Sequence, residues 1–262
     1  MSTLVFFHAH PDDEAIATGG TMARYAAEGH RVVLVSATRG ELGEVAEGVL
    51  ADGEALHERR TSELQAAADI LGVARVEFLG YHDSGMENLP TNDAEGAFAA
   101  ADREEAAERL ATILRAEGAE VLTVYDERGG YGHPDHLQVH HVGIRAAELA
   151  GTPRVYESTI NRDYLIELMR SRALVMPDVE DAPDPEDFDI GMPADRITTT
   201  VDVAAFVDKK RAAMAAHASQ IGPESFFLQM PTDAFALSFG QEWYIRRGPA
   251  RATVEDTLLP LD

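Results

Sequence analysis

Through the first half of the chain, short β-rich runs alternate with stretches of helical spacing. That alternation confines it to a parallel sheet covered by helices. The clearest run is Arg31–Ser36 (Arg-Val-Val-Leu-Val-Ser), apolar almost throughout, where a strand with one wet face would alternate. Further strands are expected at residues 4–7, 75–79, 120–125 and 154–158. Helices are expected at 15–28, 54–71, 101–116 and 134–149, the first three closed near Gly29, Gly72 and Gly118. The fold class is therefore α/β: a Rossmann-like, doubly wound, mainly parallel sheet with helices on both faces. A less regular C-terminal part follows, with helices at 164–172 and 204–217 and strands at 197–201 and 242–246. The acidic, proline-rich stretch at 177–189 reads as a loop or flap inserted into a single domain spanning 1–262.

A chain of 262 residues is long enough to bury one full α/β core. It contains no cysteine, so a metal site must be built from His, Asp and Glu. A formal net charge of −24 repels phosphate backbones and anionic bilayers, so neither nucleic acid nor a membrane is expected as a partner. The first residues lack a basic segment, and no apolar run approaches the ~20 residues of a membrane span. The expectation is a cytoplasmic protein, with room for a homo-oligomer.

Strand ends are where parallel α/β sheets hold their ligands. At the first such end stands His10-Pro11-Asp12-Asp13-Glu14. His10 and Asp13, at i and i+3 across a turn led by Pro11, can face one metal ion, which leaves Asp12 free to act on a metal-bound water. One acid suffices to cap the helix that follows, and three exceed that need. His8, two residues back, reads as an interior histidine.

A second cluster follows the strand at 120–125. Three glycines within Gly129-Gly130-Tyr131-Gly132 permit a sharp excursion, and His133-Pro134-Asp135-His136 opens the next helix. His133 and His136 share a face, so one can bind metal while the other meets substrate. His136 and His140 also form a helical H-x-x-x-H pair, without the glutamate of the H-E-x-x-H hydrolases. His140 and His141 lie further from the strand ends and read as packing or surface residues. Asp135 is placed to bond a histidine nitrogen.

At these residues the chain resembles the LmbE-like or PIG-L family of metal-dependent N-deacetylases. The resemblance extends in order through Thr38-Arg39-Gly40-Glu41, Arg60-Thr61-Ser62-Glu63, Leu79 to Met86, and His217-Ala218-Ser219-Gln220. It implies a zinc ion held by His10, Asp13 and His136, with Fe²⁺ or Co²⁺ equally suited to such a donor set. It implies Asp12 as general base and a protonated His133 stabilising the oxyanion, with Asp135 as the partner of His133. Tyr131 would assist in polarising the amide. Arg60 and Asp83 would contact sugar hydroxyls, a phosphate or inositol, beside His82, where many relatives carry Arg. The implied substrate is a small-molecule amino sugar conjugate of the N-acetylglucosamine type. A cysteinyl amide of glucosaminyl-inositol, as in the mycothiol-related branch, is the alternative.

Two other classes compete. A dinucleotide-binding enzyme needs G-x-G-x-x-G after the first strand, where this chain has the His-Pro-Asp-Asp-Glu run. A non-catalytic sugar-binding protein has no use for an unliganded Asp12 beside a metal.

Overall fold

The computed structural model describes residues 1–45, 48–171, 190–248 and 254–259. In chain order the elements that place the site are β1 (Thr3–His8), α1 (Asp13–Ala17), α2 (Gly19–Ala27), β2 (Arg31–Ser36), α3 (Leu56–Leu71), β3 (Arg75–Phe78), α4 (Arg103–Glu117), β4 (Val121–Tyr125), the single turn α5 (Gly129–Gly132) and α6 (Pro134–Ala150). They continue as β5 (Arg154–Thr159), α7 (Arg162–Arg170), β6 (Thr199–Asp202), α8 (Val207–Ala216), α9 (Phe226–Gln229), α10 (Thr232–Phe239) and β7 (Gln241–Arg246). The acidic stretch at 177–189 lies outside the described residues.

The strands form one sheet in the order β3-β2-β1-β4-β5-β7-β6. β1 to β5 run parallel, while β7 pairs antiparallel with both β5 and β6. The chain leaves β1 toward β2 and β3, then returns to β4 on the other side of β1. The strand order therefore reverses between β1 and β4, and the crevice beyond their carboxyl ends is where such sheets bind ligands. His10 follows β1, and the glycine excursion follows β4.

Alternate residues of the strands feed opposite faces. Leu4, Phe6, Val32 and Leu34 join one core with Leu64 and Leu71 of α3 and Met214 of α8. Val5, Phe7, Val33 and Val35 join the other with Leu110 of α4 and Val142 of α6. Burial on both faces explains the continuous apolar runs, and the doubly wound reading holds. Gly72 and Gly118 close α3 and α4 in the left-handed conformation that only glycine adopts freely.

One expected helix, 15–28, is two. Thr18 breaks it at φ −136°, where its hydroxyl bonds His8 Nε2 at 2.9 Å. The new N-terminus of α2 is capped by Glu242 of β7, whose carboxylate accepts from Gly20 N and Thr21 N at 2.8 Å each. The Lys210 ammonium balances that buried carboxylate at 2.5 Å. The capping residue lies more than two hundred positions away, out of reach of any local pattern.

α6, which carries His136 in its first turn, lies tight against β4. A Cβ on Gly143 would sit 2.3 Å from Val124 Cγ1. Gly143→Ala should therefore cost about 1–3 kcal/mol by overpacking. A urea denaturation midpoint measures it, and an unchanged midpoint would contradict this close approach.

Candidate metal centre and active site

His10, Asp13, His133, Asp135 and His136 meet in the crevice between the ends of β1 and β4. Asp13 Oδ2 is the hinge of the cluster. It accepts from His10 N at 2.9 Å and stands 3.3 Å from both His10 Nδ1 and His136 Nε2. Burial alone would raise the Asp13 pKa, but His136 and His10 hold it well below the usual carboxylate range.

His136 is set by its neighbours. Gly129, at φ 64°, brings its carbonyl to 3.2 Å from His136 Nδ1, and a Cβ there would collide with His136 Cβ at 2.9 Å. Because the carbonyl only accepts, Nδ1 carries the proton and Nε2 presents its lone pair. Tyr125 stacks on the ring at 4.3 Å between centroids. Nε2 is buried and makes no hydrogen bond among the described residues. A buried, lone-pair-bearing nitrogen without a donor, facing a carboxylate, is the chemistry of a metal ligand.

His10 has the complementary arrangement. Its Nε2 lies 3.1 Å from Asp135 Oδ2 and 3.4 Å from Asp83 Oδ1, and its Nδ1 faces Asp13. Burial opposes charge on this ring, yet bonds to Asp13, Asp135 and Asp83 lift its pKa well above the ordinary histidine value. With Nε2–H held by Asp135, Nδ1 is the atom free to coordinate. The donor atoms of His10, His133 and His136 also lie within 4.8 Å of one another, as do those of His10, Asp83 and Asp135. The buried residues present thus suit a divalent cation.

The role expected for Asp135 changes. Its carboxylate does not pair with the His133 ring. It is taken by Ser84 N at 3.0 Å, Ser84 Oγ at 2.5 Å and His10 Nε2, and only its backbone N–H reaches His133 Nδ1, at 3.1 Å. Asp135 therefore orients His10. The protonated His133 that the resemblance implies is disfavoured here. Burial and the neighbouring His10 and His136 push it down to about 4. Since Nδ1 accepts from Asp135 N, the neutral ring still offers Nε2–H as a donor.

Asp12 stands beside this group without joining it. Its backbone sits at φ 111°, ψ −34°, outside the regions open to L-residues, which costs about 1–3 kcal/mol and persists only where neighbours enforce it. Arg60 Nη2 donates to Pro11 O at 2.5 Å and to Asp12 Oδ2 at 3.1 Å, while Nη1 donates to Gly40 O at 2.8 Å. Asp12 makes no side-chain cap to α1, so capping does not account for its carboxylate. Burial pushes its pKa up to about 6, with the Arg60 guanidinium opposing and Asp13 adding to the rise.

The residues expected to meet substrate fall in different places. Arg60 is 3% exposed and is bound to Pro11, Gly40 and Asp12, so it shapes the Pro11–Asp12 turn. Asp83 is buried too. Its oxygens accept from Gly85 N and Leu42 N, tying two loops together beside His10. His82 is exposed, with Nδ1 3.6 Å from Glu41 Oε1. Tyr131, 57% exposed, makes a T-shaped contact with His136, ring centroids 4.9 Å apart, at the mouth of the crevice. His8 is interior and satisfied, bonded to Tyr125 Oη and Thr18 Oγ1. His140 packs against the Tyr125 carbonyl, and His141 is exposed. Sequence reasoning missed Ser84 and Tyr125, which orient Asp135 and His136. A lone Ser or Tyr carries no pattern that marks such a task.

Next to the site a cavity of about 600 Å³ runs from Asp12, Asp13 and His136 past Leu165 and Met169 to Phe227 and Trp243. No helix among the described residues is long and apolar enough to cross a membrane.

A buried cation cradle with one carboxylate held apart from it, at the reversal point of a parallel sheet, marks a metal-dependent hydrolase. The model of the GlcNAc-PI de-N-acetylase family, PIG-L, matches residues 5–147. A 1D-myo-inositol 2-acetamido-2-deoxy-alpha-D-glucopyranoside deacetylase of Thermomonospora curvata is 41% identical, covering 95% of this chain and 93% of the relative. One of the same name from Acidothermus cellulolyticus is also 41% identical, covering 94% and 88%. The chain belongs to the PIG-L family. Among solved structures, the N,N'-diacetylchitobiose deacetylase of Pyrococcus horikoshii shares the fold, with a TM-score of 0.56, 22% identity, and coverage of 89% of this chain and 73% of that one.

Purified protein should carry one divalent ion per chain. His136→Ala and Asp13→Ala should each lose it, while Asp12→Asn keeps it. Elemental analysis of the three variants decides this, and an Asp13→Ala protein still loaded at one equivalent would overturn the assignment.

Proposed function

We propose that this protein hydrolyses the N-acetyl amide of a small-molecule N-acetylglucosamine–inositol conjugate, releasing acetate and the free amine. The supporting observation is Asp13 Oδ2 poised between His10 Nδ1 and His136 Nε2, with Asp12 alongside and bound to neither. His10, Asp13 and His136 would hold the cation, which we take to be zinc. Relatives matched along nearly the whole chain and named for that substrate support the sugar and aglycone. The reaction needs neither nucleic acid nor a membrane, and we place it in the cytoplasm.

A bound cation supplies Lewis-acid polarisation and lowers the pKa of water. The chain supplies the remainder. Asp12, raised to about 6, is a base matched to neutral pH and takes the proton from the attacking water. A C–O bond forms at the amide carbon, and charge grows on the carbonyl oxygen. His133 donates Nε2–H to that oxygen as a neutral imidazole, and Tyr131 at the mouth adds a second donor. Asp12 then returns the proton to the departing nitrogen as the C–N bond breaks.

His133→Ala should lower kcat about 10²–10³-fold, the usual loss for one oxyanion donor. Asp12→Asn should lower it about 10²–10⁴-fold with the metal retained. Amine release from N-acetylglucosaminyl-inositol measures both, with a cysteinyl amide of glucosaminyl-inositol run in parallel. Near-native turnover by Asp12→Asn would contradict the assigned base. Faster cleavage of the cysteinyl amide would move the substrate to the amidase branch.

A further inference from the structure

Asp12 occupies a backbone conformation that it cannot hold alone, and two supports enforce it. Arg60 grips Pro11 O and the Asp12 carboxylate from one side. From the other, Glu14 Oε2 accepts the Asp12 N–H at 2.9 Å. Glu14 is fully buried, and its second oxygen receives His217 Nε2 at 2.6 Å. His217 is fully buried as well, at the end of α8, with its N–H on Met214 O and its carbonyl accepting from Gln220 N and Ile221 N. Ser219 beside it is fixed by Glu63 of α3 through its N–H at 2.9 Å and its hydroxyl at 2.6 Å. His217 thus reaches the catalytic turn from far outside residues 5–147, where the family model matches.

We infer that His217, acting through Glu14, is a positioning residue that locks the Asp12 turn in its working conformation, so that the C-terminal segment completes the active site. The inference rests on the proposed amide hydrolysis for its kinetic reading only. The geometry explains why a fully buried carboxylate and imidazole pair lies one layer behind the crevice: Glu14 holds Asp12 N–H, and His217 Nε2 holds Glu14. Without the imidazole, Glu14 would be a buried carboxylate lacking that donor, free to turn from the Asp12 N–H, and the turn would relax toward ordinary φ. A displacement of about 1 Å at a reacting group can cost about 10²-fold in rate.

The test compares His217→Leu, which removes the donor, with His217→Gln, whose amide N–H restores it. His217→Leu should lose about 10²-fold in kcat, with KM and metal content unchanged. His217→Gln should recover to within about tenfold of wild type. In a crystal structure of His217→Leu, Asp12 should return to a negative φ. Wild-type kcat in His217→Leu would overturn the inference, as would a loss that merely tracks metal content or thermal stability. So would an Asp12 that keeps its φ in that crystal. If His217→Leu does not fold, His217→Gln decides alone: activity retained with Asp12 in place supports the inference, and an inactive enzyme with Asp12 unmoved overturns it. If wild type releases no amine, the proposed function fails, and the Asp12 φ in the variant crystal still settles the positioning role.

Discussion

Three carboxylates surround one imidazole in the interior of this protein, and the rest of the site follows from that arrangement. Asp13, Asp83 and Asp135 all lie within 3.4 Å of a His10 ring nitrogen. Buried charges are costly unless paired and hydrogen-bonded. Burial opposes charge on the His10 ring, but its bonds to these carboxylates favour the imidazolium and raise its pKa. A divalent ion on the Asp13 side would take over that task and leave His10 neutral, with Asp135 holding its other nitrogen. The same carboxylates thus suit the site to positive charge, whether on the His10 ring or on a cation.

Topology brings the parts together. β1 and β4 are neighbours in space but lie more than a hundred residues apart in sequence, and the strand order reverses between them. The turn after β1 delivers His10, Asp12 and Asp13, while the excursion after β4 delivers His133, Asp135 and His136. Each half is stiffened locally. Asp126 at the end of β4 accepts from Arg128 N, Gly130 N and Thr159 Oγ1, which fixes the entry to the glycine turn. Arg60 and Glu14 fix the other half. The strain at Asp12 is a local cost offset by these surrounding bonds, which fits the base role proposed for it.

The two-sided parallel sheet and the meeting of the two His/Asp clusters were legible in the sequence to different degrees. The two-sided burial of β2 is written in Arg31–Ser36, and the closures at Gly72 and Gly118 are single-residue signals. The approach of His10 to His136 could be read because each cluster sits at a strand end, where ligands gather. What stayed hidden depends on partners distant in sequence. Thr18 breaks the first helix because Glu242 caps the second. Asp135 belongs to His10 and Ser84 rather than to His133, since the residue that claims its carboxylate comes from another loop. The resemblance implies substrate contacts for Arg60 and Asp83, and their bonds to backbone carbonyls and amides appear only once the loops are folded.

The most direct test of the account is the ligand set of the bound ion, read by anomalous diffraction from a crystal of the metal-loaded protein. The account requires one ion bonded to His10 Nδ1, Asp13 Oδ2 and His136 Nε2 at about 2.0–2.2 Å, with Asp12 outside bonding distance. An ion held by His10, His133 and His136, or one bonded to Asp12 itself, would contradict it.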